Sequence, residues 1–385
     1  MTDRPDWYTD AFPQLRPGPP WVMQEMIAAE PALVERLLNT PPTGIQDAAD
    51  VVAEAVAQAR PVTVCGCGTS EHAAHAVAAM LASAVGSERS RLIRGRPAFS
   101  AAQDPSPGVC IAISHDGATH ATALALSAAR AAQARTIAIS QTPQGVIPRT
   151  AEIALITPVH DESWCHTVAY TSAMAAGAAL AARLGPFAAD AAAAGGMLAR
   201  ASDRPEAASI AERLADRRMV LCAAAEPDLV TARELALKIA EGTHVPTLAL
   251  ELETVLHGTL AAHESTDALV LVAITDSSEQ LRVLRRATNV ARAAAAIGLR
   301  IAALLSDASA RTLGADVIPD GRLITPLADP TLLDPHLAGL LAGAGAVQSL
   351  TLELAHARGT NPDLIRRDQA PYRRAAEAAE SADDS

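Results

Sequence analysis

Two stretches of this chain carry residue types that hold a sugar hydroxyl or a phosphate: Gly66-Cys67-Gly68-Thr69-Ser70 and Ser114-His115-Asp116-Gly117-Ala118-Thr119. Each joins an apolar run to a helical stretch. Backbone N–H groups at such helix starts, together with the Ser70, Ser114 and Thr119 hydroxyls, suit an anion or a polyol. The same residue types also cap helices without binding anything, so the turns alone leave both readings open. A third stretch, Glu162-Ser163-Trp164-Cys165-His166-Thr167, sets one of only three tryptophans beside a thiol and an imidazole. Trp164 offers a sugar ring an apolar face to stack on. As a nucleophilic pair Cys165 and His166 are unconvincing, because adjacent side chains rarely face each other and no orienting acid is evident. The 11 histidines include no H-x-x-x-H pair, and His257 and His263 lack a third ligand at usual spacing. No metal and no cofactor is expected.

These residues need a scaffold, and the apolar runs supply one. Val62–Cys65, Val109–Ile113, Thr136–Ile139 and Ile153–Ile156 read as buried parallel strands joined by helices. Met219–Cys222, Ala268–Ile274 and Ile301–Leu305 form a second series at similar spacing, with a long helix over Ser278–Ile297. The chain therefore reads as two copies of one fold. The first copy has Gly66–Ser70 after its first strand, where the second has Ala223-Ala224-Ala225-Glu226. Only the first keeps a glycine-rich turn. The expected class is α/β: two tandem domains, each a mostly parallel, doubly wound sheet flanked by helices. The boundaries read as 1–45 for a Pro-rich arm and a helix (Trp21–Leu38), 46–184 for the first domain, 185–208 for a linker holding one helix, 209–358 for the second domain, and 359–385 for a tail whose last residues, Glu380–Ser385, are expected to be disordered.

Composition excludes several classes. Lys plus Arg number 31 against 43 Asp plus Glu, a net charge of −12, so neither nucleic acid nor an anionic membrane surface is an expected partner. The nearly uncharged stretch Leu337–Leu350 reads as too short and too glycine-interrupted to span a bilayer. Five cysteines without a C-x-x-C pair, and no recognisable secretion signal, lead us to expect a reducing cytoplasm. Nine aromatics in 385 residues leave the core to Ala, Leu, Val and Ile.

Cys67-Gly68-Thr69-Ser70, Ile113-Ser114-His115-Asp116-Gly117-Ala118-Thr119, and Ala236-Leu237-Lys238-Ile239-Ala240-Glu241 followed by Leu256-His257-Gly258 resemble the sugar isomerase (SIS) family over residues 50–370. The pattern is similar to the isomerase half of glucosamine-6-phosphate synthase and to the fructosamine deglycases. The amidotransferase half is expected to be absent, since no cysteine follows Met1. The resemblance implies that Glu241 moves a proton between adjacent carbons and that His257 opens the ring, entering from a neighbouring subunit of a homodimer. Lys238, three residues before Glu241, would keep that carboxylate ionised, or would pair with Glu234 on the surface. Gly68, Thr69, Ser70, Ser114, His115, Asp116 and Thr119 would bind the sugar or sugar phosphate, with Glu162, Trp164, Cys165 and Thr167 in the loop that closes over it.

Two departures from the family qualify this. Phosphate-binding relatives have a second serine where this chain has Asp116. A carboxylate about 4 Å from a phosphate costs on the order of 4 kcal/mol per unit charge at an effective dielectric near 20. Either His115 protonates and compensates, or Asp116 turns away as a cap, or the substrate is unphosphorylated. The family's Schiff-base lysine falls on Ala370, which brings the chain closer to the deglycases; Arg366, Arg367 and Tyr372 either fold over the site or lie on a basic surface helix. The expectation is a sugar or amino-sugar isomerase or deglycase using Glu and His proton transfer. The alternative is a sugar-binding sensor without turnover.

Overall fold

The seven apolar runs become seven of ten strands in two parallel five-stranded sheets, in a computed structural model that describes residues 5, 7–277 and 279–380. Helices α1 (Val22–Asn39) and α2 (Ile45–Ala57) lead into the first repeat. It runs β1 (Val62–Gly66), α3 (Thr69–Val85), β2 (Ile93–Pro97), α4 (Ala98–Gln103), β3 (Val109–Ile113), α5 (His120–Ala131), β4 (Arg135–Ser140), α6 (Val146–Thr150), β5 (Ile153–Ile156) and α7 (Val168–Ala181). Helices α8 (Ala191–Ser202) and α9 (Glu206–Leu214) connect it to β6 (Val220–Ala224), α10 (Leu229–Thr243), β7 (Thr247–Glu251), α11 (Leu252–Leu256), β8 (Ala268–Ala273), α12 (Gln280–Ile297), β9 (Arg300–Ser306), α13 (Asp307–Thr312) and β10 (Arg322–Thr325). The chain continues through α14 (Pro335–Arg358) and α15 (Ala370–Glu380). The expected helix start at Ser278 and the tail beyond Glu380 fall outside the described residues.

The sheet orders are β2-β1-β3-β4-β5 and β10-β9-β8-β6-β7. Renumbered within its own repeat, the second is the first read backwards, so both have the doubly wound order 2-1-3-4-5. The duplication inferred from spacing is therefore one of topology. In each repeat the order reverses beside the first strand, which puts the turns after β1 and β3, and after β6 and β8, at the switch points where such folds bind ligands.

Three strands escape the sequence reading: β2, β7 and β10. All are edge strands, and their exposed or half-buried positions interrupt the apolar run that marks a central strand. The supposed linker helix α8 is sandwiched between α1 and α14 and buries Leu198, Met197 and Ala194 in a core shared by both sheets. The Leu337–Leu350 stretch also needs correction. It lies within the 24-residue α14, long and apolar enough to cross a membrane, yet 94% of its apolar window is buried inside the molecule. Its glycines do not interrupt it. A β-carbon at Gly339, Gly343 or Gly345 would approach Thr275, Thr231 or Ala201 to 2.0–2.7 Å, so these positions let the helix lie close against its neighbours.

Candidate active site

The first glycine-rich turn leaves β1 at Gly66, where a β-carbon would sit 2.4 Å from the Ser70 carbonyl oxygen. Gly68 adopts φ +56°, a conformation an L side chain rarely takes. No side chain caps the start of α3. Thr69 is buried and Ser70 half-buried, and a β-carbon on Gly68 would stand 3.9 Å from Leu237 of α10. The first helix of the second repeat thus packs on the first repeat's turn.

Along α10 the spacing 234, 238, 241 puts two carboxylates and an amine on one face. His72, one turn into α3, bonds through Nδ1 to Glu234 Oε2 at 2.6 Å; Lys238 Nζ lies 3.8 Å from Glu234 Oε1 and donates to Glu241 Oε2 at 2.5 Å. The surface pairing of Lys238 with Glu234 is thereby overturned. Both side chains are buried, with Lys238 1% exposed, because α3 and the 161–167 loop close over that face. Burial disfavours a charged ammonium, but Glu241 and Glu234 outweigh it and raise the Lys238 pKa. Burial likewise opposes ionisation of Glu234, yet Lys238 and the His72 hydrogen bond hold its carboxyl below the usual range. Only Glu241 keeps an exposed edge, 22% of its side chain. A charged amine thus holds a partly solvated carboxylate at the site.

The second turn is closed on itself. Asp116 Oδ1 accepts from Ser114 Oγ (3.1 Å), the Ala118 amide (3.0 Å) and Thr119 Oγ1 (3.4 Å), and Ser114 and Thr119 hydroxyls are 3.0 Å apart. The carboxylate occupies the donors a phosphate would need and does not turn away as a helix cap. Nor does His115 compensate. Burial, with His166 beside it, lowers its pKa to about 4, so the ring is neutral near pH 7. Its Nε2 accepts the Asp161 amide at 3.2 Å.

The 161–167 loop departs most from expectation. Trp164 does not stand free: the Phe12 ring packs against it at a tilt of 51° with centroids 4.6 Å apart, and the Arg367 guanidinium lies 4.8 Å from its ring centroid. Arm and tail meet here, with Arg373 on Trp7, so Arg367 folds over the loop, while Arg366 and Tyr372 pair with each other within the tail. Cys165 is fully buried beside Trp21, Met23 and Leu352, and burial pushes its thiol well up, which removes it both as nucleophile and as sugar contact. The Thr167 hydroxyl is sealed from solvent and its amide donates to Asp161 Oδ2 at 2.6 Å. Glu162 is exposed, with its amide 3.5 Å from Met26 Sδ. His257 ends α11, is 76% exposed and lies 3.4 Å from Glu253 Oε2 on its own helix. Among the described residues no hydrogen bond or ion pair joins it to Glu241 or to the turns.

Sequence reasoning passed over His72, Glu234 and Asp161 as site residues. It also left a plain signal unused: the sequence holds 30 arginines and one lysine, and that lysine is Lys238. Where guanidinium serves everywhere else, the one ammonium stands between a buried carboxylate and a partly exposed one, a place for a compact point charge and not a planar fork.

Comparison with known proteins agrees with this architecture. Residues 55–183 match the family model described as "SIS domain". The chain is similar to the C-terminal domain of glucosamine-fructose-6-phosphate aminotransferase from Francisella tularensis (TM-score 0.74, 17% identity, covering 91% of this chain and 99% of that one). It is also similar to tagatose-6-phosphate ketose/aldose isomerase from Escherichia coli (TM-score 0.73, 18% identity, 89% and 95%) and to glucosamine-6-phosphate deaminase from Thermotoga maritima (TM-score 0.59, 17% identity, 89% and 96%). At these identities the likeness establishes a shared fold. No curated protein matches the sequence.

Proposed function

We propose, from the premise that residues 55–183 form an SIS domain, that this chain is an enzyme moving a proton next to the carbonyl or imine of an open-chain sugar or amino sugar. The observation that carries the reading is the His72–Glu234–Lys238–Glu241 chain, which ends on a partly exposed carboxylate. Interconversion through an enediol needs one base to take a proton from one carbon and return it to the next. Glu241 does this, held in place by the Lys238 hydrogen bond. The Gly68–Ser70 turn holds substrate hydroxyls through its amides and Ser70. His257 of a second molecule serves ring opening, which makes a homodimer the working unit. Five free cysteines favour a reducing cytoplasmic setting.

Asp116 favours an unphosphorylated substrate, because its carboxylate already fills the second turn's donors. Ala370, at the start of α15, brings no amine, which favours release of an amine from a 1-amino-1-deoxyketose over amino transfer. A sugar sensor needs no buried lysine behind an exposed carboxylate, so the enzyme reading is preferred to that one. The test is to incubate the protein with fructosamines, amino sugars and their 6-phosphates while monitoring released amine and exchange of the C2 proton with solvent. Exchange or amine release supports the proposal; a sugar that binds without either supports the sensor. The chain's single lysine makes a second test clean. Borohydride should trap no sugar on Lys238, and a trapped adduct would show a Schiff base instead of proton transfer by Glu241.

A further inference from the structure

Opening a sugar ring moves two protons. One leaves the anomeric hydroxyl and one arrives at the ring oxygen, while the bond from the anomeric carbon to the ring oxygen breaks and its electron pair stays on that oxygen. One imidazole positioned for either transfer is worth about 10²–10⁴ in rate. The chain places an imidazole of its own beside the second turn, without help from a second molecule.

His166 stands at the end of the loop that follows β5. Its Nδ1 is buried without a hydrogen bond and lies 3.7 Å from Asp161 Oδ2. Asp161 is fully buried; burial opposes its ionisation, but His166 and the Ala169 amide hold its carboxyl below the usual range. The amides of Thr167 (2.6 Å) and Ala169 (3.0 Å) fix Oδ2, which faces His166. With Nδ1 buried, the exposed third of the ring (32%) falls on the Nε2 side. The ring centroid is 5.0 Å from that of His115 on the second turn, and the adjoining Cys165 Sγ lies 3.9 Å from the Lys238 carbonyl oxygen on α10. His166 therefore lies between the second turn and the lysine–glutamate face. Its neighbours are already engaged: His115 accepts the Asp161 amide, and His160 is bonded to Gln141 while stacked on His115. Among the described residues no group of His, Cys, Asp or Glu is arranged to hold a metal ion. Of the three imidazoles only His166 combines an accessible nitrogen with a carboxylate behind the other one.

We infer that His166, oriented by Asp161, is a catalytic acid–base group for ring opening, exchanging the proton at one of the two sugar oxygens while the imidazole of a second molecule serves the other. This rests on the proposed sugar chemistry but concerns a different step from the one given to Glu241. Ring opening is read without C2 chemistry, as the rate at which the protein interconverts the α and β forms of glucosamine and of fructose, followed by polarimetry or exchange spectroscopy. The wild-type protein should accelerate it. His166→Gln should lower that acceleration about a hundredfold with sugar affinity by calorimetry unchanged, and His166→Ala should do the same. An unchanged rate in both variants, a loss that only follows a loss of affinity, or no acceleration by the wild-type protein would overturn the inference. C2 exchange that persists in Glu241→Gln would instead overturn the proposed function and leave this step standing.

Discussion

At the first switch point, between β1 and β3, the chain turns through Gly68 and Ser114, and α10 covers it with Lys238 and Glu241. At the matching point of the second repeat, between β6 and β8, Asp228 bonds the amides of Ile274 (2.9 Å) and Thr275 (3.0 Å) and the Thr275 hydroxyl (2.7 Å). There the cover comes from α3, whose His75 and Ala79 line a cavity of only about 70 Å³ with Thr275 and His336. Counted from the helix starts, Ala78 and Leu81 of α3 stand where α10 has Lys238 and Glu241. The same topology thus carries the candidate site at one switch point and a plugged turn at the other. Charge placed on the covering helix, and a glycine in place of a buried acid at the turn, make the difference.

Four substitutions test this contrast. Lys238→Met should have the largest effect, since it strands two carboxylates, one of them buried: about 3–5 kcal/mol of stability by denaturant titration, not restored by Lys238→Arg. A loss within about 0.5 kcal/mol would mean that the charged face is not the organising element. Asp116→Ser should come next, freeing Ser114, Thr119 and the Ala118 amide. Affinity for a 6-phosphosugar should rise tenfold or more in calorimetry, and equal or weaker binding would remove Asp116 as the reason for disfavouring phosphate.

The plug carries its own pH signature. Burial raises the Asp228 pKa from 3.8 to about 6, so its contribution is full below pH 3.8 and is lost as pH rises through about 6, by roughly 3 kcal/mol for a shift of two units. Glu234 and Asp161 in the open site act in the opposite direction. Their pKa values are lowered despite burial, so their contribution is present above the usual carboxylate range and fades on acidification. Comparing wild type with Asp228→Asn should therefore show a slope between pH 4 and 7 in the first that is missing in the second; parallel profiles would contradict the burial of an isolated acid. Trp164→Ala should be the mildest, costing about 1–2 kcal/mol from the Phe12 and Arg367 contacts and loosening the arm in limited proteolysis.

The sequence shows the open site more readily than what surrounds it. The glycines and hydroxyls of Gly68–Thr69–Ser70 and Ser114–Thr119 mark turns because only small or hydrogen-bonding residues make them, and β1, β3 and β4 show as short apolar runs because both faces are buried, while the half-buried edge strand β5 shows because its four residues are all apolar. Strands β2, β7 and β10 do not, since an edge needs only one apolar face. Asp116 was visible, but whether it caps a helix or fills its own turn depends on backbone geometry that residue types leave open. The bond from His72 to Glu234 joins positions 162 apart, which no local pattern encodes. Trp164 and Cys165 were misjudged for a related reason: their partners, Phe12, Arg367, Trp21 and Leu352, come from the chain's two ends.

The measurement that bears most directly on the difference between the two switch points is C2 proton exchange in deuterium oxide, followed by mass spectrometry on one sugar that binds wild-type protein, Glu241→Gln and Asp228→Asn alike. The open site predicts exchange by the wild-type protein and by Asp228→Asn, and a loss of about 10²-fold or more in Glu241→Gln. Full exchange in Glu241→Gln would contradict it.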